Sequence, residues 1–133
     1  GLDGLDVRLK DYYKMGARFA KWRAVITIGD NEPSGTCIAA NAHALARYAS
    51  LCQENGIVPI VEPEILMDGD HTIEESFVVS EEVLHTVFYE LYGQNVELEG
   101  MVLKPNMVLS GYDCDQQEDV EKVAELTVMF VKD

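Results

Sequence analysis

The sequence predicts an α/β protein of about three consecutive βα units with parallel strands, and three observations predict it. Apolar, β-branched runs of strand length alternate with long amphipathic helical patterns in the order αβαβαβα, which implies a parallel sheet with right-handed crossovers. Turn clusters rich in Gly, Asn and Pro separate the elements. Ionisable residues recur at matching points of the repeat: Lys21, Glu62 and Lys104 stand 41 and 42 residues apart, each on or just after a strand.

The elements follow in order. Leu2, Leu5, Leu9 and Tyr12 recur at helical spacing, with Gly16 as a natural stop. The first strand runs from about Phe19 to Ile26. Gly29-Asp-Asn-Glu-Pro33 is a turn, and Ser34 starts the next helix, whose inner stripe is Ile38, Ala42, Leu45, Ala49 and Cys52. Asn55-Gly56 ends it. Ile57 to Val61 is the second strand, although Pro59 within it would ordinarily demote a run to an edge strand or a bulge. Leu66 to His71 is loop, and Thr72 with Glu75 reads as a capping box. Ile73, Phe77, Leu84, Val87, Phe88 and Leu91 form the inner face of a long helix that Gly93-Gln-Asn95 breaks. Gly100 to Leu103 is the third strand, closed by Pro105. After a long loop comes a last helix carrying Val120, Val123, Ala124, Thr127 and Val131. There is no low-complexity tract and no linker, so residues 1–133 form a single unit without an internal domain boundary.

The chain has 133 residues, 47% of them hydrophobic, enough to bury a core. A closed parallel barrel needs eight strands over roughly 250 residues. The expectation is therefore either a smaller open sheet or, better, a segment of something larger, because the pattern starts and stops within helical stretches. With 24 acidic against 10 basic residues the net charge is −14. That balance argues against nucleic acid and anionic membranes, which select basic faces. Cys37, Cys52 and Cys114 are odd in number and lack metal-ligand spacing, so free thiols in a reducing cytoplasm are expected. No apolar run has the length of a membrane span.

Lys21 and Arg23 share a strand face across Trp22, and Glu62 and Glu64 share one across Pro63. Taken singly, each has an ordinary explanation: a solvated Lys-x-Arg, a strand end emerging into water, a strand-end lysine at Lys104. Charge on an otherwise apolar core strand is costly unless paired or used, which favours function. Like charges as close as Glu62 and Glu64 resist ionising together unless a cation intervenes. A barrel of βα units would bring Lys21, Glu62 and Lys104 to one rim. There, two amines and a carboxylate favour a neutral, nucleophilic lysine, the requirement for Schiff-base chemistry, with Lys104 the nucleophile. His71 with Asp68 and Asp70 is a polar loop rather than a metal site, and His43 and His85 are surface or partly packed helix residues. Tyr12, Tyr13, Tyr48, Tyr89 and Tyr92 read as packing. No metal and no cofactor is expected.

The segments Phe19-Ala-Lys-Trp-Arg23, Leu45-Ala-Arg-Tyr-Ala49, Asn55-Gly-Ile-Val-Pro-Ile-Val-Glu-Pro-Glu-Ile65, Asp68-Gly-Asp-His71 and Leu98-Glu-Gly-Met-Val-Leu-Lys-Pro-Asn-Met107 resemble class I fructose-1,6-bisphosphate aldolase. The resemblance spans essentially the whole chain in family order. It implies part of a (β/α)8 barrel, strands four to six, from a cytoplasmic homo-oligomer, usually a tetramer, acting in glycolysis and gluconeogenesis on a phosphorylated sugar. It implies reversible cleavage of fructose 1,6-bisphosphate to dihydroxyacetone phosphate and glyceraldehyde 3-phosphate. By the same resemblance Lys104 is the Schiff-base lysine and Glu62 the proton-shuttling carboxyl. Glu64 hydrogen-bonds the lysines, Lys21 contacts substrate and assists loss of water, and Arg23 serves the far phosphate. The family's other site residues, on its first, third and last two strands, fall outside these residues. An incomplete barrel with two open edges is expected, and with it the alternative of a catalytically incomplete segment that only self-associates or binds a partner.

Overall fold

In a computed structural model that describes residues 1–132, the elements are α1 (Leu5–Lys14), β1 (Phe19–Ile26), α2 (Gly35–Glu54), β2 (Val58–Ile65), α3 (Ile73–Gly93), β3 (Val102–Leu103) and α4 (Val120–Lys132). One turn of 3₁₀ helix, Leu98–Gly100, precedes β3. The strands form one parallel sheet in the order β1-β2-β3.

The pleat divides the sheet into two unlike faces. Ala24 and Ile26 of β1 and Val61 and Ile65 of β2 are buried with Ile38, Ala42, Leu45, Ala49 and Cys52 of α2 and Val83, Val87 and Leu91 of α3. The opposite face has no covering layer among the described residues. Phe19, Val25, Val58 and Val102 are exposed on it, beside the charged residues.

Local chemistry accounts for the boundaries. Ser34 Oγ accepts from the Cys37 N–H at 3.0 Å, and Thr72 Oγ1 from the Glu75 N–H at 3.2 Å, each capping its helix. Gly56 ends α2 with φ +73°, and a Cβ there would lie 3.1 Å from the Tyr13 ring. The loops after β2 and β3 also meet closely. The Gly111 N–H donates to the His71 carbonyl at 2.8 Å, and a Cβ on Gly111 would sit 2.3 Å from the Gly69 carbonyl oxygen. Only glycine allows that approach.

Three expectations are corrected, and the packed face of α4 is added. β2 is longer than Ile57–Val61 and is the central strand in spite of its prolines. The N–H groups of Val58 and Leu66 donate towards β1, to the Arg18 and Ile26 carbonyls, so those at positions 59, 61, 63 and 65 point towards β3. Pro59 and Pro63 thus remove donors only on the β3 side. β3 is correspondingly short: it pairs only Ile60 with Val102 and Val61 with Leu103. The inward stripe of α4 is Val123, Leu126, Thr127 and Phe130, while Val120, Ala124 and Val131 face out. Val120, Val128 and Val131 share an exposed side next to the buried one, so apolar residues extend beyond the packed arc and do not mark it. Finally, Tyr12, Tyr13, Tyr89 and Tyr92 are exposed; Tyr13 instead carries the Arg18 guanidinium 3.7 Å above its ring.

Tyr48 does pack, and it does more. Its ring lies 5.4 Å from that of Trp22, and its hydroxyl donates to the carbonyls of Ala20 (2.7 Å) and Ile60 (3.0 Å), tying α2 to both long strands. Burial pushes the neighbouring Cys52 thiol up to about 11. An unfolded thiol ionises near pH 8.5, so over the interval up to about 11 only the unfolded chain loses this proton. Stability contributed below that interval is lost as pH rises through it. Denaturant melts between pH 8 and 10.5 are expected to show a falling unfolding free energy, with a shallower fall in Cys52→Ala. Parallel slopes would remove Cys52 as the cause.

Candidate active site

The uncovered face of the sheet brings together the residues singled out in the sequence. Lys21 and Arg23 project from β1, Glu62 and Glu64 from β2, and Lys104 from the residue after β3. Arg23 is in register with Glu62, and Lys21 with Ile60. Each cation on β1 reaches one step forward along β2. Lys21 Nζ thereby lies 3.7 Å from Glu62 Oε2, and Arg23 pairs with Glu64. From the other side Lys104 Nζ approaches Glu62 Oε1 at 3.0 Å. The three groups converge, as expected. They do so as a row across the sheet, with Lys21 early in its strand rather than at a strand tip.

Glu62 is the centre of this row and its most buried member. It is 4% exposed, whereas the side chains of Lys21 and Lys104 are 53% and 57% exposed. Its Oε2 makes no hydrogen bond. A carboxylate in that setting is partly desolvated and has an amine within proton-transfer distance, the arrangement of a general acid–base group. Both lysine amines keep access to solvent, as a nucleophile and a substrate contact require.

Glu64 departs from what the resemblance implies. It pairs with Arg23, the cation one step behind it on β1, while both lysines pair with Glu62. The Glu64 carboxylate holds the Arg23 guanidinium above its usual range, chiefly through this hydrogen bond and against partial desolvation.

Two contributors went unread in the sequence. The Ile65 N–H donates to Asn106 Oδ1 at 3.2 Å, and Asn106 Nδ2 donates to Ser80 Oγ of α3 at 3.2 Å. Both lie next to the Lys104 segment. The available signal was the missing donors at Pro63 and Pro105, which leave a strand needing another partner. His71 lies outside the row and is buried in its loop, with both ring nitrogens unpaired. Among the described residues, no cluster of three or more His, Cys, Asp or Glu is placed to hold a metal, and no helix is long and apolar enough to cross a membrane.

The family model described as "Glycolytic: Fructose-bisphosphate aldolase class-I" matches residues 1–133. A probable fructose-bisphosphate aldolase class 1 of Xanthomonas campestris is 64% identical over 132 residues, covering 99% of this chain and 40% of that protein. Fructose-bisphosphate aldolase B of Mus musculus is 55% identical over 128 residues, covering 96% of this chain and 35% of that protein. A solved structure of fructose-bisphosphate aldolase from Plasmodium falciparum superposes with a TM-score of 0.96 at 52% identity, covering 99% of this chain and 39% of that one. The chain thus spans about 40% of the length of the curated relatives it matches.

A buried carboxylate with one oxygen unbonded is a poor stabilising device, since its desolvation opposes its ion pairs. Glu62→Gln keeps the shape and removes the charge. Its unfolding free energy is expected to stay within about 1 kcal/mol of the parent or to rise, as at sites where function costs stability. A loss above about 3 kcal/mol in denaturant melts would instead make the cluster structural.

Proposed function

The chain belongs to the class-I fructose-bisphosphate aldolase family, and from that premise we propose that it carries the imine-forming centre of an enzyme that reversibly cleaves fructose 1,6-bisphosphate to dihydroxyacetone phosphate and glyceraldehyde 3-phosphate. Its three strands are consecutive staves of a (β/α)8 barrel; on this reading they are staves four to six, in one unit without an internal boundary. The observation that carries the proposal is the buried Glu62 carboxylate between the amines of Lys104 and Lys21, at 3.0 and 3.7 Å.

In the proposed reaction, Lys104 Nζ attacks the ketone carbon of the sugar. A carbon–nitrogen bond forms and the carbonyl electron pair moves onto oxygen. Glu62 takes a proton from the new ammonium and passes it to the former carbonyl oxygen, giving the neutral carbinolamine. A second proton, from the Lys21 ammonium, lets that hydroxyl leave as water. Lys21, against the other Glu62 oxygen, assists that departure. The protonated imine is an electron sink for the bond between the third and fourth carbons. Glu62 accepts the proton of the fourth-carbon hydroxyl as that bond breaks and the aldehyde leaves. The remaining enamine takes a proton, and water releases the ketone phosphate and restores the amine. The Arg23–Glu64 pair lies one step further along the strands and serves the far phosphate, with Glu64 orienting the guanidinium.

The same reading places the protein in the cytoplasm as a homo-oligomer, by family resemblance a tetramer, acting in glycolysis and gluconeogenesis. No metal enters the proposed steps, which need only an amine and a carboxyl. A second reading, a segment that associates through its sheet without turnover, is favoured by the exposed Phe19, Val25, Val58 and Val102 on the uncovered face. Light scattering alongside an activity assay separates the two. A defined complex without turnover supports association alone.

Borohydride reduction in the presence of dihydroxyacetone phosphate is expected to leave a covalent adduct on Lys104, found by peptide mass. Lys104→Ala should lose the adduct and roughly a thousandfold or more in kcat, as befits loss of a covalent nucleophile. Glu62→Gln should lower kcat by about 10²–10⁴, the scale of general acid–base catalysis. An adduct that survives Lys104→Ala would end the assignment.

A further inference from the structure

The ladder between β2 and β3 fails at the level of the proposed nucleophile, and one side chain spans the gap. On β2 the positions whose N–H groups point towards β3 are 59, 61, 63 and 65, and two of these four are Pro59 and Pro63. On the other strand Pro105 follows Lys104 directly and has no N–H either. The last backbone bond of the ladder runs from the Lys104 N–H to the Val61 carbonyl, at 2.9 Å.

Beyond it, Asn106 takes over with its side chain. Its Oδ1 stands in for a strand carbonyl and accepts from the Ile65 N–H at 3.2 Å. Its Nδ2 donates to Ser80 Oγ on α3 at 3.2 Å and to the Met107 carbonyl at 3.0 Å. Ser80 is 1% exposed, so α3 holds this contact inside the protein. Lys104 thus sits between two anchors on β2: its own N–H on Val61, and, two residues on, the Asn106 amide on Ile65.

We propose that Asn106, braced by Ser80, is a positioning residue that acts through Lys104, fixing the height of the lysine along β2 and hence its 3.0 Å approach to Glu62. The inference rests on the reading of Lys104 as the imine-forming amine. With the second anchor cut, the Lys104-Pro105 segment can pivot about the first, and the amine shifts relative to the carboxyl. A displacement of about 1 Å at a reacting group can cost about a hundredfold in rate. The amide suits this position: one end must accept from a backbone N–H while the other donates to a hydroxyl and a carbonyl.

The test uses the assembled enzyme and three variants. Asn106→Leu removes all three bonds at similar volume. Asn106→Asp keeps the acceptor for Ile65, and the Ser80 hydroxyl can turn to donate to it, so only the bond to Met107 is lost. Ser80→Ala removes the brace alone. The readouts are the single-turnover rate of imine formation with dihydroxyacetone phosphate, quenched by borohydride, its pH profile, KM and the thermal midpoint.

Asn106→Leu is expected to slow imine formation by about 10- to 100-fold and to shift its pH profile, with KM changed less than about threefold. Asn106→Asp should recover most of that rate, and Ser80→Ala should fall between. An unchanged imine rate in a folded Asn106→Leu enzyme overturns the proposal, as does a thermal loss with an unmoved pH profile. If Asn106→Leu does not fold, Ser80→Ala decides, and a parental imine rate and pH profile there overturn it. A parent enzyme that traps no imine on Lys104 defeats the functional reading itself; trapping in the parent at rates the variants leave untouched defeats only this inference.

Discussion

The register of β1 against β2, with Arg23 opposite Glu62, is the constraint on which the rest of the structure depends. Parallel strands have a side-chain period of two, so a slip of one residue would exchange the two faces. The slip is opposed from the helical side. Ala24, Ile26, Val61 and Ile65 are buried against α2 and α3, so a slipped β1 would expose Ala24 and Ile26 and drive Lys21 and Arg23 into the core. A slipped β2 would do the same with Val61 and Ile65 against Glu62 and Glu64. Tyr48 adds a polar check, since its hydroxyl reaches the Ala20 and Ile60 carbonyls together only in the observed register. The charged row is thus held by apolar and hydrogen-bonded contacts on the far side of the sheet, and its own ion pairs need not supply stability. That freedom lets Glu62 remain buried with an oxygen unbonded.

Much of this was legible in the sequence, because the signals were local and redundant. The α2 stripe of Ile38, Ala42, Leu45, Ala49 and Cys52 is buried as read, and the caps at Ser34 and Thr72 follow from one residue each. The failures share a cause: they depend on a neighbouring strand or helix. Whether a proline interrupts β2 depends on which neighbour its missing N–H would have faced, and that is a property of the pair. The phase of α4 is set by packing on α3 through Phe130 and Leu126, whereas three of its four valines share an exposed side. The tyrosines of α1 and α3 look like core on composition, but they fall outside the arcs those helices bury.

The same division runs through the site. Lys21, Glu62 and Lys104 were readable because charge on an apolar strand is unusual and because the βα repeat sets the three in matching positions. The pairing of Arg23 with Glu64 was not readable, since Lys-x-Arg facing Glu-x-Glu has two equally plausible registers. Asn106 and Ser80 were less visible still. They lie 26 residues apart, neither is charged, and their value lies in a ladder whose defect appears only once β2 and β3 are paired.

The charge in the row bears on how an anionic substrate could be held. Three cations, Lys21, Arg23 and Lys104, face two carboxylates, Glu62 and Glu64, leaving an excess of one positive charge in a chain whose net charge is −14. The long-range field therefore opposes a bisphosphate, and solvent ions screen it beyond about 8 Å at physiological salt. On the proposed reading, recognition has to come from short, directed contacts. Arg23 is already engaged by Glu64, so a phosphate there must share the guanidinium or displace the carboxylate. Its five N–H donors make sharing feasible, which a lysine at the same place could not offer with the same fixed geometry. Lys104 has the opposite need. On that reading it must give up its contact with Glu62 to form a bond, and its half-exposed amine, held at one point, can regain water as it leaves. On the same reading the row divides binding and reaction between two kinds of cation, one pre-organised by Glu64 and one free to leave Glu62.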